Sequence, residues 1–117
     1  MANPVVHFEI VTKDPKAAQD FYAKLFGWTI DASNPMGYGI VNTGAEGGIG
    51  GGIAGLQDGG QGQVTWYVAV DDPQAYLDTV ERMGGKTVMP VTEIPGMVTI
   101  ASFTDPQGNL IGLVKEQ

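Results

Sequence analysis

Sliding the chain 58 residues along itself lays Asp14 on Asp72, Pro15 on Pro73, Ala17 on Ala75, Asp20 on Asp78 and Gly27 on Gly85. An ordered match of this kind, close to half of 117 residues, means a duplicated unit, and a duplication has to be settled before local motifs are read. Each copy reads as strand, helix, then three strands, and two copies account for the whole chain.

The first copy opens with a β-rich run, Val5 to Thr12, that is apolar apart from His7 and Glu9. Asp14-Pro15 follows, Asp being a favoured helix N-cap and Pro a favoured first helical residue. Ala18, Phe21, Tyr22 and Leu25 recur at helical spacing, and Gly27 suits the helix end. Trp28 to Asp31 and Tyr38 to Asn42 read as strands around an Asn34-Pro35 turn. The second copy gives a strand over Val64 to Val70, a helix from Asp72-Pro73 carrying Tyr76, Leu77, Val80 and Met83, and a stop at Gly84-Gly85. A short strand, Lys86 to Met89, precedes a hairpin of Met97 to Phe103 and Leu110 to Lys115 around Asp105-Pro106-Gln107-Gly108-Asn109. The modules are expected at about 4–57 and 62–117 within a single 1–117 domain.

Between the copies, ten of the nineteen residues from 44 to 62 are glycine. One strand, Ile49 to Ala54, is expected there, followed by a flexible connection, and Gly44 to Gly62 as a whole is either a linker or a lid over the pocket. Glycine inside a strand marks a bulge or the close approach of backbone or ligand. Gly50-x-Gly52-x-x-Gly55, with Asp71 and Asp72 downstream, imitates a dinucleotide fingerprint. That motif needs a helix directly after the glycines to receive the pyrophosphate. Leu56-Gln57-Asp58-Gly59-Gly60 has no helical period, so nucleotide binding is set aside.

Polar residues inside strands carry the functional information. Alternation puts Phe8 and Ile10 on one face of the first strand, under the helix, and His7, Glu9 and Val11 on the other. His7 is the single histidine, hence the one side chain that titrates near neutral pH without perturbation. The repeat sets Thr65 opposite His7 and Tyr67 opposite Glu9, with Trp66 and Val68 expected beneath the second helix. A cavity walled by His7, Glu9, Thr65 and Tyr67 is the expectation; a solvated sheet face or a dimer interface is the plainer alternative.

No run approaches the ~20 apolar residues of a membrane span, and the net charge of −7 speaks against a nucleic-acid partner. A neutral or cationic small molecule suits that charge better. Cysteine is absent, which removes disulfides, thiolate metal sites and Cys nucleophiles. The opening residues lack the basic and apolar regions of a secretion signal, so a cytoplasmic location is expected.

The run from Val6 to Pro15, with Phe21-Tyr22 and Leu25-Phe26-Gly27-Trp28, resembles the first module of the glyoxalase/bleomycin-resistance/dioxygenase (vicinal oxygen chelate, VOC) superfamily. Val70-Asp71-Asp72-Pro73 with Gly84-Gly85 resembles the start of the second module, and Phe103 to Ile111 its final hairpin. The resemblance implies an α+β fold: two βαβββ modules, a curled mixed sheet forming a half-barrel around a ligand cavity, helices on the outer face. It also implies a homodimer. Enzymes of that superfamily hold a divalent metal with His, Gln or Glu from the first and last strands of each module, and the metal acts as a Lewis acid. Carried over by position, the first ligand falls on His7, its second-module counterpart on Thr65 and the last-strand ligand on Gly112, while the first module's last strand offers only Gly and Ala around Gly51 to Ala54. Catalytic metal sites keep about three protein ligands. Even with Glu9 beside His7 as weak metal candidates, no metal or other cofactor is expected.

The expected function is therefore metal-free binding of a small, cationic or aromatic molecule, similar to bleomycin-resistance sequestration. The pocket candidates are His7, Glu9, Tyr38, Thr65, Tyr67 and Gly112, with Trp66 and Phe103 as further aromatic surface. The alternative is a degenerate or metal-dependent lyase, isomerase or dioxygenase of the same superfamily, or an enzyme using His7 and Glu9 as an acid–base pair.

Overall fold

Both predicted helix starts are built as their sequences dictate. In the computed structural model, which describes residues 2–44, 46–56 and 62–116, Asp14 Oδ1 accepts the Ala17 N–H at 3.0 Å and Asp72 Oδ1 accepts the Ala75 N–H at 3.2 Å. Each satisfies one orphan donor of a first turn, an interaction of about 1 kcal/mol. Gly27 ends the first helix at φ 71°, and Gly84 follows the second at φ 97°, both in the left-handed region that glycine enters without strain.

The elements run β1 (Val5–Thr12), α1 (Pro15–Phe26), β2 (Thr29–Asp31), β3 (Gly39–Asn42), β4 (Gly50–Gly55), β5 (Gln63–Ala69), α2 (Pro73–Arg82), β6 (Lys86–Ile94), β7 (Val98–Thr104) and β8 (Leu110–Glu116). This is βαβββ twice, an α+β fold. The chain forms two compact units, His7–Val64 and Thr65–Gln117, the latter with residues before His7.

In the His7–Val64 unit the strand order is β2-β3-β4-β1. β1 runs parallel to β4, pairing His7 with Gly50 and Glu9 with Gly52, while β3 lies antiparallel to both β2 and β4. The face under α1 holds Phe8, Val41 and Ile53, Ile53 being fully buried. Phe8 packs at a tilt against Trp28, with ring centroids 5.5 Å apart, and Trp28 meets Tyr22 and Phe26 of α1 at 5.8 and 5.0 Å. The predicted helical stripe is only partly buried: Phe21 and Leu25 stay more than half exposed. Gln19 takes the inward position instead. Its amide donates to the Ile53 carbonyl at 3.2 Å, and Gly39 leaves it room, since a Cβ there would lie 2.6 Å from Gln19 Nε2.

In the second unit the order is β5-β8-β7-β6, with β5 parallel to β8 and the remaining pairs antiparallel. Val70, Leu77, Ala101 and Leu113 form the core, with Val68, Tyr76 and Phe103 packed against it. Trp66 departs from expectation: Val68 is covered, whereas Trp66 is 49% exposed. The repeat explains this. Phe8, its counterpart, is covered by Trp28, but the residue 58 positions after Trp28 is Lys86, which offers no aromatic cover. The strand predicted over Lys86 to Met89 continues to Ile94. It passes through Pro90 because it is the edge strand and its register with β7 shifts between Thr87, Met89 and Thr92, so a missing N–H is tolerated.

The strand expected over Ile49 to Ala54 is β4, paired with both β1 and β3. Residues 45 and 57–61 of the expected linker or lid lie outside the described residues. No helix among the described residues is long and apolar enough to cross a membrane.

Candidate functional site

Strand alternation sends His7 and Glu9 to the face of β1 opposite Phe8, and the chain brings Tyr38 to meet them. The Tyr38 hydroxyl lies 3.0 Å from His7 Nε2 and donates to Glu9 Oε2 at 3.0 Å. All three side chains are half-buried.

Two local devices hold Tyr38 there. Asn34 folds the preceding turn: its Oδ1 accepts the N–H of Met36 at 3.2 Å and of Tyr38 at 3.0 Å, and its Nδ2 donates to the Tyr38 carbonyl at 2.7 Å. This is the Asx geometry that an Asn-Pro start favours. Gly52 supplies the second device. A Cβ built on it would sit 1.7 Å from the Tyr38 hydroxyl, so the ring occupies space that any other residue would fill. Gly51, on the opposite face, does the same for Phe8, whose ring would lie 2.5 Å from a Cβ. Glycine in this strand therefore means close approach, by an aromatic ring on each side.

Burial holds the His7 pKa below the usual imidazole value of 6.5, with the Glu9 carboxylate pulling the other way. Folded His7 thus takes up its proton at lower pH than the unfolded chain does. Stability contributed by keeping it neutral is intact above 6.5 and is lost as pH falls toward the folded value. Urea melts between pH 5 and 7 should show this acid-side loss, and His7→Gln should flatten it.

The remaining predicted residues lie in the second unit. Thr65 is buried, and its hydroxyl donates to the Leu110 carbonyl at 2.6 Å. Tyr67 is buried and pairs with Gly112, where a Cβ would lie 2.4 Å from its ring. Register makes Gly112 the counterpart of Gly52, since Gly52 pairs with Glu9 and Gly112 with Tyr67, the residue 58 positions on. Each module thus sets a tyrosine ring against a glycine of its last strand. The bonds by which Asn34 holds Tyr38, and the fit of Tyr38 to Gly52, escaped sequence reading; the Asn34-Pro35 turn and the glycines inside a strand were the available signals.

The metal implied by the sequence resemblance can be tested on these donors. Thr65 Oγ is committed to Leu110, and Gly52 and Gly112 have no side chain and no space for one. Among the described residues no three His, Asp or Glu side chains gather as an ion would require. The residues present do not fit a metal of that kind. A cleft of about 660 Å³ opens in the second unit, lined by Asn3, Asp71, Tyr76 and Lys115 among others, and by none of the predicted pocket residues.

Residues 5–113 match the profile of the Glyoxalase/Bleomycin resistance protein/Dioxygenase superfamily. "Putative glyoxylase CFP32" of Mycobacterium bovis is 35% identical over 112 residues, covering 90% of this chain and 42% of its own length. Anthracycline biosynthesis protein DnrV of Streptomyces peucetius is 30% identical over 117 residues, with 86% and 42% covered. The chain thus spans about two fifths of the length of these curated relatives. Among solved structures, hypothetical protein BH1468 of Bacillus halodurans superposes with TM-score 0.72 at 14% identity, covering all of this chain and 96% of the other. Methylmalonyl-CoA epimerase of Mycobacterium tuberculosis gives 0.68 at 15% identity, with 97% and 87% covered. With a profile that spans nearly its whole length, the chain belongs to the glyoxalase/bleomycin resistance protein/dioxygenase superfamily.

Proposed function

We propose that this protein binds a small organic molecule at the face carrying His7, Tyr38 and Glu9, and does so without the divalent metal of the superfamily's enzymes, in the manner of bleomycin-resistance sequestration. The observation that carries the reading is the tyrosine set against glycine in both modules: Tyr38 over Gly52 and Tyr67 against Gly112 fill the space that side-chain ligands would need. Tyr38 offers an aromatic surface and Glu9 a carboxylate, which favour a planar or cationic ligand. The net charge of −7 acts in the same direction. Two relatives are named for anthracycline biosynthesis, and a polycyclic aromatic compound has the shape this reading requires.

Thermal-shift and fluorescence titration test it directly. A fluorescent anthracycline should raise the melting temperature, by an amount equivalent to about 2.7 kcal/mol at a hundredfold excess over Kd. Zinc, nickel, manganese or ferrous ion at micromolar concentration should leave it unchanged. One equivalent of tightly bound metal with a matching rise in melting temperature would overturn the metal-free reading. Native mass spectrometry of the purified protein adds an unbiased search for a co-purifying molecule.

A further inference from the structure

We propose that the cleft in the second unit is a binding site for a small zwitterion, an α-amino acid or a similar amino-carboxylate, with Asp71 taking the ligand's ammonium group and Lys115 and Tyr76 its carboxylate. The cleft shares no residue with the face carrying His7, Tyr38 and Glu9, so the proposal stands independently of binding there.

Four stretches of chain converge to make the cleft, and backbone bonds fix where they meet. The Val70 N–H donates to the Val114 carbonyl at 2.9 Å, which sets the roots of Asp71 and Lys115 on neighbouring stretches. The Ala69 N–H donates to the Pro4 carbonyl at 2.9 Å and brings Asn3 to the rim. α2 starts at Pro73 and presents Tyr76 from its first turn. The Asn3 amide then donates to the Tyr76 hydroxyl at 2.9 Å, a side-chain bond between residues 73 apart in the chain. The hollow of about 660 Å³ that results is the size of a small-molecule site, and the buried Val70 and Val114 give it apolar wall.

The polar groups around it have bonding capacity of both signs to spare. Asp72 is committed to capping α2, whereas Asp71, one residue earlier, is not. Among the described residues neither Asp71 nor Lys115 is ion-paired, with the other or with anything else. A carboxylate and an ammonium that share a cleft without meeting leave a place for a molecule carrying both charges in the reverse order. An anion alone would face Asp71, and a cation alone would face Lys115. The Tyr76 oxygen accepts from Asn3, so its own proton is left for an acceptor in the cleft. A ligand carboxylate accepts from Lys115 and Tyr76, its ammonium donates to Asp71, and its carbon chain lies against Val70 and Val114.

The duplication separates these groups from the demands of the fold. At the positions matching Asp71 and Tyr76 the first module carries Lys13 and Ala18. The shared βαβββ frame therefore forms without an acid or a hydroxyl at these places, and the charge arrangement belongs to the second copy.

Titration of the full chain followed in 1H–15N spectra tests this. L-leucine at millimolar concentration should shift the amides of residues 69–71, 76 and 114–115. Isocaproate and isoamylamine keep leucine's carbon chain but carry one charge each, and should bind ~5-fold more weakly or worse, the worth of one exposed charged contact. Asp71→Asn should remove the preference for leucine over isocaproate, and Lys115→Gln the preference for leucine over isoamylamine. Both residues are exposed, so the parent melting temperature should be kept. Tyr76→Phe, which retains the ring against the core, should weaken leucine binding with the amide pattern otherwise unchanged. Leucine that leaves these amides unmoved, or that binds no better than either analogue, overturns the proposal. So does a selectivity that survives both charge-removing substitutions, or shifts confined to β1.

Discussion

Replacing Gly52 by alanine should cost about 2–3 kcal/mol of stability and detach Tyr38 from both His7 and Glu9. A methyl group 1.7 Å from the Tyr38 hydroxyl cannot be accommodated by a small adjustment. The ring root is held by Asn34, so the ring has to swing out as a whole. Swinging out gives up a hydrogen bond to a carboxylate, the stronger class, together with the contact to His7. For a chain of this length the loss corresponds to roughly 10 °C in melting temperature. The control is the same substitution in a Tyr38→Ala background. With the ring gone, alanine at 52 has space, and because glycine is the more flexible residue in the unfolded chain, the change should be neutral or slightly stabilising. An equal loss in both backgrounds would place the conflict in the strand itself and not with Tyr38.

The same residue shows where sequence reading stopped. The helices were legible because each of their signals is local: Asp14-Pro15 and Asp72-Pro73 cap within three residues, and Gly27 and Gly84 end the helices by their own backbone freedom. The duplication was legible because it repeats those signals in order. That His7 and Glu9 share a face follows from strand alternation alone. Their link through Tyr38 does not, because it depends on an Asx turn at Asn34, a parallel register that sets Gly52 beside Glu9, and a missing side chain at 52. The turn is local but does not tell where its tyrosine reaches, and Gly52 is distant in sequence from both Tyr38 and Glu9. Trp66 failed as a core residue for a related reason. Alternation gave its face correctly, but cover depends on what the chain carries after the helix, and Lys86 stands where the first module has Trp28. β6 outran its predicted end because proline stops an interior strand but not one at an edge with shifted register.

Placing a carboxylate on β8 by Gly112→Glu should not create a metal centre; it should destabilise the protein by about 3 kcal/mol or more. The Tyr67 ring lies 2.4 Å from where the new Cβ would go, and Tyr67 is itself buried, so it has no open solvent to retreat into. β8 is paired on both sides at this point, with Tyr67 of β5 and Ser102 of β7, which blocks relief by backbone movement. The carboxylate adds a desolvation cost to the steric one. Comparing Gly112→Ala with Gly112→Glu separates the two, since alanine carries the clash without the charge. Removing the obstacle with Tyr67→Ala should recover part of the loss in the double variant, and nickel titration should still produce no stabilisation, because Thr65 remains bonded to the Leu110 carbonyl and Gly52 remains filled by Tyr38. A Gly112→Glu protein that melts like the parent and takes up one metal ion would show that the glycine is a simple deletion. The structure argues instead that the glycines and tyrosines are matched pairs, so that the misfit to a metal is written into the packing of both modules and is not reversed at a single position.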